Sequence, residues 1–336
     1  MTPFTSILVA TDFSVDGNNA VRRAALLAHQ HGASLHILHV LKEAACRPLR
    51  DWFSPLTDID LKAALARAAL RRVAVEIAGA YDVTATVEVQ VGDPLQTLMQ
   101  ASAHVDLVVL GRRGHSRLES LLIGRTADRM LRTCRQPVLV VKKPADAPYR
   151  KVLMPMDFTA GSDAAVRLGT RMVGGARMHV FHAADSYMES MLRRAGVASS
   201  IILDVKAREE SGTLSRMRRM LARLGVDTRP VFFSVGRGPA DLATLERART
   251  LNADLIVAGK NGRSTLGAFL LGSVSSSVLS ESDCDMLIVP QPRDSTLPRV
   301  ESAAVASDVR GATESEALAA AHWMQKTPGF VVRRAS

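Results

Sequence analysis

The chain repeats itself, and no other feature constrains its fold as strongly. Residues 6–12 read Ser-Ile-Leu-Val-Ala-Thr-Asp and run into Phe13-Ser14. Residues 151–157 read Lys-Val-Leu-Met-Pro-Met-Asp and run into Phe158-Thr159. Asp12 and Asp157 lie 145 residues apart, as do Pro94 and Pro239. His36 and His39 return 143 residues later as His179 and His182. Asp106-Leu-Val-Val-Leu-Gly111 returns as Asp254-Leu-Ile-Val-Ala-Gly259, and Gly114 and Gly124 return as Gly262 and Gly272, all at an offset of 148. One order of landmarks with small changes of length means two copies of one domain, 1–146 and 147–292, joined through Pro144-Ala-Asp-Ala-Pro148.

Each copy alternates strand and helix patterns. In the first, Ser6–Ala10, Ser34–Val40, Val83–Val89, Asp106–Leu110 and Pro137–Val141 read as strands, the last two being the continuous apolar runs of buried parallel strands. Asp16 is placed to cap a helix reaching Gln30, which Gly32 ends; Leu61–Ala80 is helical, and Pro94 suits a first helical turn. The second copy offers Lys151–Pro155, Arg177–Ala183, Val226–Phe233, Asp254–Ala258 and Asp285–Val289. Strands separated by helices form right-handed βαβ units, so each copy is expected to be a doubly wound α/β sheet. Such sheets take ligands beyond the carboxyl ends of their strands. Residues 293–336 lack strand runs and are expected to be a loosely ordered tail, with one helix at Ser315–Met324.

Composition narrows the function classes. No apolar run reaches the ~18–20 residues of a membrane span, and residues 1–10, with no basic stretch and a short apolar one, are not expected to act as a signal peptide. Three widely spaced cysteines, Cys46, Cys134 and Cys284, form no disulfide framework or zinc pattern, so a reducing cytoplasm is the expected location. The net charge of +10 favours anionic partners, while an aromatic content of 4% disfavours a stacking platform for nucleic acid.

The second copy carries Gly259-Lys-Asn-Gly262, nine further residues and then Gly272-Ser273-Val274. Glycines permit positive φ and close approach to a ligand, and successive N–H groups can cradle phosphate. Gly272-Ser273 opens the last helix, whose N–H groups and dipole favour the same anion. Ser273 adds a hydroxyl, and Lys260 and Arg263 add positive charge. The alternative use of these glycines is to turn the chain sharply and hold nothing.

This loop, with an aspartate closing the first strand of each copy, resembles the universal stress protein family in its tandem two-domain form. The resemblance covers residues 1–292. It implies a Rossmann-like fold of the adenine nucleotide alpha hydrolase-like kind, with five parallel strands per copy. It also implies ATP as ligand, with Mg2+ as a candidate companion, and pairing of domains through their last strands. Here the two copies would pair with each other, and association into a homodimer stays open. The implied nucleotide residues are Asp157, Gly259, Gly262, Gly272, Ser273 and Val274 in the second copy. In the first they are Asp12, Gly111, Gly114, Gly124, Arg125 and Thr126. Arg125 stands where the family pattern has Ser or Thr. Thr126 follows, but one residue is about 100° of helical rotation, so its hydroxyl would not aim as Ser273 does. The first copy is therefore expected to bind nucleotide more weakly or not at all.

Asp12 and Asp157 end their strands beside the switch point and either bond the nucleoside, reach a phosphate-bound metal, or cap the next helix. His36 and His39 point to opposite faces of their strand, while His39 and His182 lie near the expected pocket. The basic run Lys206–Arg223 reads as a solvated helix face, with acidic protein or RNA as the alternative partner. No P-loop, GxSxG elbow or HExxH is present, and no evident base or nucleophile supports efficient catalysis. The function expected is a stress-response module that binds adenine nucleotide. The competing expectation is a scaffold with vestigial pockets.

Overall fold

In the computed structural model the described residues are 4–42, 58–113, 123–227, 229–260 and 271–291. The first half runs β1 (Ser6–Ala10), α1 (Val15–His31), β2 (Ser34–Leu41), α2 (Asp58–Tyr81), β3 (Ala85–Val91), α3 (Pro94–Ser102), β4 (Leu107–Gly111), α4 (Arg125–Thr133) and β5 (Val138–Val141). The second runs β6 (Lys151–Pro155), α5 (Ala160–Met172), β7 (Arg177–Ala184), α6 (Tyr187–Arg194), α7 (Ser199–Arg223), β8 (Val231–Arg237), α8 (Ala240–Leu251), β9 (Leu255–Gly259), α9 (Ser273–Glu281) and β10 (Asp285–Val289). The tail expected to carry a helix lies outside the described residues.

These strands form one sheet in the order β3-β2-β1-β4-β5-β10-β9-β6-β7-β8. Each half is parallel throughout, with its order reversing beside β1 or β6, the doubly wound arrangement the repeat predicts. The halves meet where β5 and β10 pair antiparallel, Leu139 opposite Leu287. Both strands are buried along their whole length, which accounts for their uninterrupted apolar sequence. One face of the sheet packs on α1, α2, α5 and α7, the other on α3, α4, α8 and α9.

Local chemistry sets the element ends. Ser14 caps α1 by accepting from the Gly17 N–H, and Gly32, at φ 62°, closes it. Asp16 is not the cap; its carboxylate instead accepts from the Arg113 N–H at 3.1 Å and ties the segment after β4 to the start of α1. The strand expected from Val226 begins at Val231, because the Val226 N–H turns back to the Leu221 carbonyl and finishes α7 around Gly225 at φ 69°.

The joint between the halves is polar as well as apolar. Asp285 is wholly buried. It accepts from the backbone N–H groups of Lys142 and Lys143 and from the Tyr149 hydroxyl at 2.7 Å, and pairs with Arg23 at 3.4 Å. The Arg23 guanidinium lies 4.1 Å from the Tyr149 ring centroid. Burial beside Asp285 pushes the Tyr149 phenol well up, so it keeps the proton it donates. The offset of 148 puts Pro137 at the corresponding place in the first half, so this cluster exists once. Two lysines cross the joint in opposite directions. Lys142 donates to the Leu279 and Ser282 carbonyls at the end of α9, and Lys260 to the Arg132 and Cys134 carbonyls at the end of α4.

Candidate functional site

The site begins at the turn after the first strand of each half. Phe13 and Phe158 both adopt φ 63°, the left-handed region that bulky residues rarely enter. The turn folds the preceding carboxylate back on the chain. Asp12 Oδ1 accepts from the Ser14 N–H at 3.1 Å; Asp157 Oδ1 accepts from the Thr159 N–H at 3.1 Å and its hydroxyl at 2.6 Å. The helix caps are Ser14 and Thr159, so the aspartates are turn residues rather than caps. Each phenylalanine ring rests against a histidine, Phe13 at 4.6 Å from His39 and Phe158 at 4.8 Å from His182. His39 Nδ1 donates to the Thr11 carbonyl and His182 Nδ1 to that of Met156, which fixes both tautomers. The repeated Asp-Phe-Ser/Thr tripeptide, Asp12-Phe13-Ser14 and Asp157-Phe158-Thr159, is the sequence signal for this turn.

Beyond these turns lie two cavities. One of about 640 Å³ opens at the carboxyl ends of β6, β7 and β9, lined by Asp157, His182, Gly259, Gly272, Ser273 and Val274. Its counterpart of about 540 Å³ is lined by Asp12, His39, Gly111, Gly124, Arg125 and Thr126. Both fall in the range of small-molecule sites. All the site residues expected from sequence gather here except Gly114 and Gly262, which lie outside the described residues, as does Arg263.

The four described glycines of the two loops, Gly111, Gly124, Gly259 and Gly272, do not use positive φ. Gly124 and Gly272 have φ −63° and −58° with extended ψ, open to any residue. Gly111 and Gly259 are needed for packing. A Cβ on Gly111 would sit 2.6 Å from the Asp16 backbone, and one on Gly259 would sit 2.7 Å from that of Gly161. The fourth strand of each half thus ends directly beneath the first turn of the helix that follows the aspartate. The segment after it is closed by a backbone bond, Gly124 N–H to Arg112 O at 2.8 Å and Gly272 N–H to Lys260 O at 2.9 Å.

Helix ends separate the two cavities. Among the described residues no side chain caps α4 or α9, whose first turns, Arg125–Thr126 and Ser273–Val274, line their cavities. Helix α8 also starts without a side-chain cap, and Gly238, Pro239 and Ala240 line the second cavity. Its counterpart α3 is capped by the Asp93 carboxylate, which accepts from the Gln96 N–H at 2.9 Å. The second cavity therefore faces two helix starts without a capping side chain at the N-cap, the first faces one. Asp241 lies in the first turn of α8, where it accepts from the Leu242 N–H, and Asp128 in that of α4, so α9 is the start with neither a cap nor an acidic residue in its first turn. Composition and motif reading missed the exchange of Asp93 for Gly238, although the offset of 145 displays it.

Lys260 and the basic residues of α7, singled out in the sequence, lie elsewhere. Lys260 is buried with its ammonium against the end of α4, not in the cavity, and burial lowers its pKa. The basic residues of α7 are largely engaged within the fold: Arg216 lies 4.0 Å from the Phe158 ring centroid, Arg223 pairs with Asp163 and Lys206 with Glu189. Among the described residues there is no cluster of three or more His, Cys, Asp or Glu fit for a metal, and no helix long and apolar enough to cross a membrane.

Doubly wound parallel halves with cavities at their strand ends define a Rossmann-like α/β protein. The sequence model of the universal stress protein family matches residues 3–142 and again 148–290, and the chain belongs to that family. A universal stress protein of Mycolicibacterium smegmatis is 27% identical over 309 residues, spanning 85% of this chain and 97% of its own. Universal stress protein A homolog 2 of Coxiella burnetii is 28% identical over 144 residues, 42% of this chain and 94% of its own. Among solved structures, a universal stress protein of Archaeoglobus fulgidus superposes with a TM-score of 0.64 at 21% identity, covering 86% of this chain and 99% of that one, which bears on the fold.

Proposed function

We propose that the protein is a regulatory module that binds ATP, chiefly in the cavity of the second half. The observation that carries this reading is the pair of helix starts, α8 and α9, directed at one cavity of about 640 Å³. The uncapped first turn of α9 and the aligned dipoles of both helices favour a polyphosphate there, with Asp241 offsetting part of the α8 field. The triphosphate would lie against Gly272, Ser273 and Val274, with Gly259 beneath and Asp157 and His182 on the nucleoside side. Mg2+ would reach the site with the phosphates, neutralising part of their charge, since Asp157 is the carboxylate lining this cavity beside Asp185. Bound nucleotide would act by changing which surface the protein presents to a partner.

Binding without rapid turnover is the expected behaviour. Efficient hydrolysis needs an oriented water and charge stabilisation confined to the transition state. The Asp157 oxygen nearest the turn already accepts two bonds from Thr159, and Lys260 points away from the cavity. That second fact also favours the competing reading, a scaffold whose pockets are vestigial. Mass spectrometry of the purified full chain for co-purified nucleotide, followed by calorimetry with MgATP, separates the two. One site per chain, weakened by Ser273→Ala and lost in Gly272→Val, supports the module. No binding at millimolar MgATP by a folded chain rejects it.

A further inference from the structure

At the amino ends of the strands, opposite the cavities, the two halves differ again. Strand register places Lys151 beside Arg177 and His179 beside Phe232. Alternation puts Arg177 and His179 on one face of β7, the face that Leu153, Phe181 and helix α8 share. Arg247 comes from α8, eight residues beyond Pro239. In the first half the matching positions hold Ser6 beside Ser34 and His36 beside Thr86, with Ser102 eight residues beyond Pro94. Four hydroxyl residues in one half are replaced by three cations and an aromatic ring in the other.

The two sets behave differently. In the first half the polar groups satisfy one another, with Thr86 Oγ1 2.6 Å from His36 Nδ1 and Ser34 Oγ 3.5 Å from its Nε2. In the second, His179 Nδ1 and Arg247 Nε are buried and have no hydrogen-bond partner among the described residues. Such nitrogens are rare without a reason. Phe232 is 55% exposed on the edge strand, one ring face stacked on the His179 imidazole at 5.0 Å and 17°. Burial lowers the His179 pKa, and Arg247, Arg177 and Lys151 lower it further, so the ring is neutral and lies within the field of three cations. Among the described residues none of those three is held in an ion pair. The nearby Asp254 carboxylate accepts from the Arg150 and Lys151 N–H groups, as Asp106 does from Thr5 and Ser6, and so does not distinguish the halves.

We propose that this rim of the second half is a binding site for a nucleotide unit, its base stacked on the open face of Phe232 and its phosphate held by Arg247, Arg177 and Lys151. A flat exposed ring offers stacking to any base. Guanidinium groups offer charge-assisted donors to phosphate oxygens. A single ring suffices for one base, so the low aromatic content does not argue against it. The chemistry is shared by a free nucleotide and by single-stranded RNA. The site lies at the other end of the strands from the cavities and does not depend on ATP binding there.

The test uses the full chain, a fluorescein-labelled ten-residue oligouridylate and, as competitor, UMP, read by fluorescence anisotropy at about 0.1 M salt. Phe232→Thr and Arg247→Ser, each restoring the first half's residue type, should weaken binding at least fivefold, whereas Thr86→Ala in the first half should not change it. Phe232 is exposed and Arg247 Nε unpartnered, so both variants should melt with the parent. With three cations on phosphates the logarithmic salt slope for a single strand should be about −2, shallower by ~0.7 in Arg247→Ser. Oligouridylate binding at least tenfold tighter than UMP assigns the site to single strands; comparable affinity assigns it to free nucleotide. Binding of neither probe, or equal binding by the parent and both variants, overturns the proposal.

Discussion

The two cavities share one plan and differ in what surrounds the place an anion would occupy. Both have the left-handed phenylalanine turn, the aspartate folded onto it, the histidine donating to a backbone carbonyl, and a glycine packed under the next helix. These features hold the walls, and they recur because both halves need the same walls. The differences lie at the helix starts: Arg125 against Ser273, and the Asp93 cap against Gly238. A duplicated fold thus kept its scaffold and varied its electrostatics. The same holds at the opposite rim, where hydroxyls face cations across the repeat.

The joint tests how far the halves depend on each other. Asp285 is buried and answered by Arg23, Lys142 and Lys143 of the first half. Removing one member of a buried pair leaves the other uncompensated, at a cost of about 3–5 kcal/mol. Asp285→Ala should lower unfolding stability by that order in urea titrations, while Pro137→Ala at the matching position should change it far less. An isolated second half would keep Asp285 with the Tyr149 hydroxyl but without Arg23 and the Lys142 and Lys143 N–H groups, so nucleotide affinity should be measured on the full chain. A loss under 1 kcal/mol for Asp285→Ala would mean the halves are held by apolar strand pairing alone.

The four glycines should fall into two kinds. Gly111→Ala and Gly259→Ala force a methyl to within 2.6–2.7 Å of backbone, so each should cost about 1–3 kcal/mol through overpacking. Gly272→Ala meets no backbone restriction at φ −58° and should melt with the parent while weakening MgATP. If all three lost only ligand affinity, the packing role of Gly111 and Gly259 would be wrong.

The fold was legible because its signals are periodic and redundant. Ten strand runs and the repeat of Pro94 at Pro239 led to a doubly wound sheet, and the family resemblance, with the apolar character of the last strands, to the pairing of β5 with β10. Strand boundaries failed where helix-end chemistry intervened, as at Val226. Residues of the site were legible; their reasons were less so. Gly259 reads as a phosphate glycine, and its closest neighbour is the Gly161 backbone. Lys260 reads as a phosphate lysine in a glycine-rich loop, yet its stem runs across a joint that no local pattern reveals. Asp285 gave no signal as a buried charge because Tyr149, Lys142 and Lys143 lie 136 to 143 residues away and Arg23 further still.

Nucleotide affinity should expose the difference between the cavities. We expect one tight site per chain. Asp93→Asn keeps a capping oxygen and removes the charge, and Arg125→Ser restores the hydroxyl. Together they should strengthen the first cavity's hold on MgATP by about tenfold, roughly 1.4 kcal/mol, seen as a second calorimetric site. The single change Asp93→Asn should act more strongly at low salt, as a field effect screened over ~10 Å would. Unchanged stoichiometry in the double variant would shift the explanation from charge to the smaller cavity of about 540 Å³.

The two lysines that cross the joint differ in a way pH can read. Burial lowers the pKa of both, Lys142 to about 8, and three oxygens accept from its ammonium at the end of α9. An unfolded lysine keeps its proton to about 10.4. Between about pH 8 and that value the folded chain has released a proton the unfolded chain still holds. The unfolded state then binds more protons, so Lys142's part of the stability rises with pH through this window, by up to about 1.4 kcal/mol per unit. The Cys284 thiol and the Tyr149 phenol, both raised by burial, act in the opposite sense once their unfolded forms ionise, near pH 9 and 10. The window from pH 8 to 9 is therefore where Lys142 stands out. Urea unfolding at pH 7, 8 and 9 should show the parent gaining about 1 kcal/mol over Lys142→Met between the last two values. The same series on Lys260→Met gives the comparison across the joint. A parent whose advantage over Lys142→Met stays flat or falls from pH 8 to 9 would mean that the α9 carbonyls hold the ammonium charged, and that burial is not the dominant influence.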